Sequence, residues 1–136
     1  MYIKLIQPKM KKRPMDTDIK TRMAPPLGLL TIVNILRDKH KVVLENENVQ
    51  EIVYDDNPDI VGISVTVDTL PGAVEIARKF RKKGITVVAG GIHVTTAENL
   101  IPTDCFDVLC VGPAEGTWRD IVSDYENGKL KKVYRC

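Results

Sequence analysis

The chain has 136 residues, of which 43% are hydrophobic and 28% charged, the composition of one ordinary globular domain and not of a disordered tail. A formal net charge of +2 and an aromatic content of 5% give no footing for a nucleic-acid partner, either by charge or by base stacking. No apolar run approaches the roughly 20 residues of a membrane span, and three cysteines without a Cys-x-x-Cys pair argue against a disulfide framework or a zinc site and fit a reducing cytoplasm.

Tyr2–Gln7 reads as a short strand. A loop from Gln7 to Pro25 follows, with three prolines and the cations Lys9, Lys11, Lys12, Arg13, Lys20 and Arg22. A loop of that length in a small domain is either functional or a solvated excursion. Pro26-Leu27-Gly28 opens a helix, because proline suits a first helical turn, and Leu29, Ile32, Val33 and Leu36 give it an apolar face. Lys41–Leu44 is a second strand, Val49–Tyr54 a short helix, and Asn57-Pro58 its breaker. Asp59–Val67 is almost wholly apolar and reads as a strand buried on both faces, as in a parallel sheet.

Leu70–Lys83 is a second long helix with Ala73, Ile76, Ala77 and Phe80 inward, stopped by Gly84. Ile85–Ala89 and Val108–Val111 are two further strands, and Thr117–Tyr125 a last helix closed by Asn127-Gly128. This alternation predicts an α/β, flavodoxin-like three-layer sandwich with a five-stranded parallel sheet in the order 2-1-3-4-5.

Ligands of open parallel sheets bind outside the carboxyl ends of the strands. The loops leaving that edge are Pro8–Pro25, Ser64–Thr69, Gly90–Thr96 and Gly112–Gly116. Gly90-Gly91 lets a backbone turn tightly or lie flat against a large ligand. Ser64 and Thr66 offer hydroxyls to a ligand or to the loop itself. His93 is a proton carrier, a metal ligand or a local hydrogen-bonding residue. Glu115 favours the dipole of the last helix, which it precedes. His40 lies in a turn away from the edge and reads as structural. There is no Gly-x-Gly-x-x-Gly, no Walker lysine and no Gly-x-Ser-x-Gly elbow.

Three stretches carry a resemblance: Pro25-Pro26-Leu27-Gly28-Leu29-Leu30, Gly90-Gly91-Ile92-His93-Val94-Thr95, and Asp107-Val108-Leu109-Cys110-Val111-Gly112 with Glu115. Together they resemble the N-terminal cobalamin-binding domain of cobalamin-dependent radical S-adenosylmethionine enzymes, a group that includes the anaerobic magnesium-protoporphyrin monomethyl ester cyclase type and many methyltransferases. Ser64-Val65-Thr66 resembles the Ser-x-Leu element of the wider cobalamin-binding family, and Gly90-Gly91 its glycine pair. Gly28 falls on the glycine of Asp-x-His-x-x-Gly, which puts Pro25 at the histidine position and Met23 at the aspartate. The usual Gly-Glu-Gly-Glu is here Gly112-Pro113-Ala114-Glu115.

The resemblance implies that residues 1–136 form one cobalamin-binding module, the N-terminal fragment of a longer enzyme. It implies cobalamin held without a histidine on cobalt, by Gly28, Leu29, Ser64, Val65, Thr66, Gly90, Gly91, His93, Thr95, Gly112 and Glu115. S-adenosylmethionine and a 4Fe-4S cluster would belong to a downstream barrel, since Cys-x-x-x-Cys-x-x-Cys is absent from this chain. In the full enzyme the module would serve methyl transfer or oxidative ring closure and would not catalyse alone. Two rivals stand beside this reading: an architectural domain of the same fold without cobalamin, and a free-standing enzyme acting through His93. If a corrin lies against the glycine pair, Gly91→Val abolishes binding in a folded domain; if the pair only shapes a turn, the same change costs stability instead.

Overall fold

The computed structural model describes residues 1–9, 27–66, 68–91, 104–112 and 114–135. Its elements run β1 (Tyr2–Gln7), α1 (Leu27–Leu36), β2 (Lys41–Asn46), β3 (Ile60–Ser64), α2 (Leu70–Arg81), β4 (Thr86–Gly90), β5 (Val108–Val111), α3 (Ala114–Glu126) and β6 (Val133–Arg135). Among the described residues all strand pairings are parallel, and the sheet order is β2-β1-β3-β4-β5-β6.

The fold is thus the flavodoxin-like one, with six strands among the described residues where the sequence suggests five. Val133–Arg135 pairs with Leu109–Val111 and extends the sheet at its edge. Three residues inside a lysine-rich stretch are too short for a period-two pattern to register. What fixes them is the ladder itself, which begins with Leu109 N–H donating to the Lys132 carbonyl at 2.8 Å.

The predicted helix over Val49–Tyr54 does not form. Asn46 Oδ1 accepts from the Asn48 amide at 3.0 Å and from Asn48 Nδ2 at 2.9 Å, so a local turn captures the groups a helix would use. Beyond that turn, Glu45 accepts from Val53 N–H at 3.1 Å, which holds the segment extended against the sheet. The crossover from β2 to β3 therefore runs without a helix. β3 ends at Ser64, so Val65 and Thr66 lie past the strand. α3 begins three residues earlier than predicted, so Glu115 stands inside its first turn and not before it.

Strand alternation splits the core in two. Val61, Ile63, Val87, Ala89 and Leu109 face α2, packing on Ala73, Ile76, Ala77 and Phe80. Ile3, Leu5, Ile60, Val88, Val108 and Cys110 face α1 and α3, with Leu29, Ile32, Leu36, Trp118, Ile121 and Val122 opposite. On this second face Gly62 takes the place of a side chain. A Cβ there would lie 2.6 Å from Trp118 Cζ2 and 2.8 Å from Leu5 Cδ2. Gly62→Ala is expected to destabilise the domain by about 1–3 kcal/mol through overpacking, read as a lower urea midpoint at unchanged slope.

Candidate functional site

Helices α1, α2 and α3 all begin at the carboxyl edge of the sheet, because each follows a parallel strand. Their amino ends bring partial positive charge to that edge. The edge residues themselves are small. Ser64 and Gly90 are register partners in β3 and β4, and both face the α1–α3 side one pleat beyond Gly62 and Val88.

The Ser64 hydroxyl is half-buried and has no hydrogen-bond partner among the described residues. Gly90 is half-buried too, and a Cβ there would make ordinary contacts with Cys110 Cβ at 3.6 Å and the Cys110 carbonyl oxygen at 3.9 Å. A pair of neighbouring positions, one with a spare hydroxyl and one without a side chain, leaves room and a polar handle for a ligand lying flat on the edge.

Gly91 does something different. Its φ is +117°, a region that side chains disfavour, and a Cβ would lie 2.9 Å from the Val65 carbonyl oxygen and 3.2 Å from Val65 N. Val65 N–H in turn donates to the Gly90 carbonyl at 2.7 Å. The glycine pair therefore divides its work: Gly91 is demanded by the backbone, while Gly90 is open. The same contact removes the premise that Gly91→Val leaves the domain folded.

Thr66 is engaged in its own loop. Its N–H donates to Thr69 Oγ1 at 2.8 Å, the two hydroxyls lie 3.1 Å apart, and Thr69 N–H donates back to Thr66 Oγ1 at 3.3 Å. This reciprocal turn sits directly before α2. Val65 and Leu29 are core residues, on the α2 face and the α1–α3 face respectively. Gly28 is exposed in the first turn of α1, with nothing within 4 Å of a built Cβ. Gly112 has φ +89° and turns the chain from β5 towards α3. The structure thus brings Ser64 and Gly90, at the ends of adjacent strands, together with Thr66 and Gly91 in the turns that follow them. His93, Thr95, Pro25 and residues 10–24 of the basic loop lie outside the described residues, as does the side chain of Glu115.

Sequence reasoning passed over Gly62 and Trp118, which lie immediately below the edge. The available signal was a glycine inside an otherwise apolar strand, which marks a close approach. His40 lies between α1 and β2 at the opposite edge. It borders a cleft of about 400 Å³ lined also by Ile35, Arg119, Val122 and Glu126, away from the small-residue edge. Among the described residues no three His, Cys, Asp or Glu side chains are grouped to hold a metal, and no helix is long and apolar enough to cross a membrane.

The chain is 34% identical over 122 residues to bacteriochlorophyllide d C-8(2)-methyltransferase of Chlorobaculum tepidum, covering 88% of this chain and 26% of the relative. It is 26% identical over 134 residues to the C-12(1)-methyltransferase of the same organism, covering 97% and 29%. An uncharacterized methyltransferase of Pyrococcus horikoshii is 29% identical over 120 residues, covering 79% and 26%. The chain therefore spans between a quarter and a third of the length of these relatives. In fold it matches the N-terminal domain of a hypothetical protein of Thermotoga maritima, with a TM-score of 0.50 and 20% identity over 93% of this chain and 98% of that one. Residues 21–122, three quarters of the chain and the span that includes β3, β4 and the edge between them, match the B12 binding domain, and the chain belongs to that family.

Proposed function

We propose that this domain holds cobalamin on its carboxyl edge, as one module of a longer cobalamin-dependent radical S-adenosylmethionine methyltransferase. The observation that carries the reading is the registered pair Ser64 and Gly90: an unpartnered, half-buried hydroxyl beside a strand residue whose missing side chain nothing else requires. The residues present fit the group. Ser64 supplies a donor for a polar atom on the ligand's rim, Gly90 a bare backbone for a flat ring, and the three helix starts favour negative charge on its appendages.

When bound, cobalamin supplies a carrier for a methyl group. This chain's own residues bind and orient it. Pro25 stands in sequence where the resemblance places the histidine, so cobalt has no imidazole from that position. Of methyl transfer and oxidative cyclisation, the relatives' names favour the first. Since the chain covers about a quarter of the first relative, the S-adenosylmethionine and 4Fe-4S chemistry would belong to a further domain.

The engaged hydroxyl of Thr66 and the backbone demand at Gly91 favour a second reading, an architectural domain that binds no cobalamin. Ser64→Val and Gly90→Ala separate the two. Each is expected to leave the melting temperature nearly unchanged and to weaken hydroxocobalamin binding about tenfold, the loss of one hydrogen bond or of one close approach. Affinity unchanged in both variants would take the site away from this edge.

A further inference from the structure

Helix α1 is unlike its two companions. Its ten residues, Leu27–Leu36, include no acidic or basic side chain, while α2 has four and α3 five. Leu29, Ile32 and Leu36 face the core, so helical geometry turns Leu30, Thr31 and Asn34 outward. Leu30 is 39% exposed, and Asn34 is exposed as well. A single exposed leucine is ordinary on any surface. A solvent side without one charge is not, because a helix that is apolar on nearly every side is one that its surroundings bury. Charged residues are depleted in the same way at the core of an interface.

The domain itself covers only the inner side of α1, which packs on β1, β2 and α3. The relatives show how much further chain is available, since this one spans 26% and 29% of the two bacteriochlorophyllide methyltransferases. β6 runs parallel to β5, so a chain continuing beyond it emerges at the carboxyl edge, where α1 begins. Four strand spacings, about 19 Å, separate β6 from β1. A small domain is roughly 30 Å across, so one that follows β6 and lies across this edge reaches α1. A second copy of the chain offers less. Two helices of about 15 Å laid side by side fall well short of the roughly 800 Å² that each partner buries in a stable interface. Resting on the reading of this chain as one module of a longer enzyme, we propose that the outer face of α1 is the docking surface for the remainder of that enzyme, which meets Leu30 and Asn34 with an uncharged face of its own.

The test measures access to that face. Leu30→Cys is made in the 136-residue chain and in the longer enzyme that carries it, and each is treated with a water-soluble maleimide. Labelling is read peptide by peptide, so the three native cysteines do not interfere. Glu75→Cys, on the exposed side of α2, is the control. Labelling at position 30 is expected to be at least about tenfold slower in the longer enzyme, the mark of a face uncovered only by local opening, with no change at position 75. Equal rates at position 30 overturn the proposal, and so does equal slowing at both positions, which makes the cover general. Labelling of the 136-residue chain that is slow and quickens on dilution assigns the face to a second copy and overturns it too. Asn34→Cys reads the same face where Leu30→Cys does not fold. Failure of the cobalamin reading is seen separately, as no hydroxocobalamin binding by a longer enzyme in which position 30 is protected.

Discussion

Replacing Lys4 with alanine is expected to cost about 3–5 kcal/mol, the range for breaking a buried ion pair from one side. Lys4 is fully buried in the middle of β1. Its ammonium lies 3.0 Å from Glu45 and 2.6 Å from Asp56, and it donates to the Val53 carbonyl at 2.7 Å. Glu45 is itself 5% exposed, so without Lys4 a carboxylate remains in the core unpaired. These bonds bind the helix-free crossover to the sheet, at the place where a packed helix would otherwise supply the contacts. Urea unfolding of Lys4→Ala measures the loss. Lys4→Met with Glu45→Gln should recover much of it, because the charge and its partner leave together.

The same network sets a pH dependence. Burial raises the Asp56 carboxyl, but the hydrogen bonds from Lys4 and from the Tyr2 hydroxyl, with the lysine's charge, outweigh it and leave the group below its ordinary value. A carboxyl lowered on folding contributes stability above the ordinary carboxylate range and loses it as pH falls through the lowered value. Tyr2 is shifted upward, first by burial and then by its 2.5 Å bond to Asp56. Its contribution is present below the ordinary tyrosine range and lost as pH rises beyond it. Urea midpoints should therefore fall in acid, and this Asp56 component should shrink in Lys4→Met.

Gly91→Ala is expected to cost about 2–5 kcal/mol, combining about 1–2 for a side chain forced to positive φ with about 1–3 for overpacking against Val65. Gly90→Ala, one residue earlier and with only ordinary contacts to Cys110, should cost less than about 0.5–1 kcal/mol and can gain from lost chain entropy. Thermal melts of the two variants side by side measure the difference. Equal losses would mean that Gly91 is not held against Val65 as the structure shows. The contrast also explains why the glycine pair is a poor probe when treated as one unit, since only Gly90 can report on a ligand without reporting on the turn.

Much of this fold was legible because its signals are local and repeated. The apolar run around Ile60–Ile63 announces a strand buried on both faces, and the stripe Ala73, Ile76, Ala77, Phe80 fixes the inner face of α2. What escaped depends on distant partners. Nothing near Lys4 in sequence shows that Glu45 and Asp56 will enclose it, and the helix expected over Val49–Tyr54 loses to the Asn46–Asn48 turn and to the pull of Lys4 on Val53. β6 exists only because β5 offers an edge. At the site, the glycine pair and Ser64 could be named from motif spacing. That Gly91 answers to Val65, that Thr66 answers to Thr69, and that Trp118 lies under Gly62 are tertiary facts.

Corrin binding is assigned to this edge. Its most direct test is equilibrium titration of the chain with hydroxocobalamin under visible absorbance, repeated with Ser64→Val. A saturable spectral change at one ligand per chain is expected, with affinity weakened about tenfold by the loss of the Ser64 hydroxyl. A chain that folds normally and shows no saturable change up to about millimolar ligand, where binding free energy falls to roughly 4 kcal/mol, would contradict it.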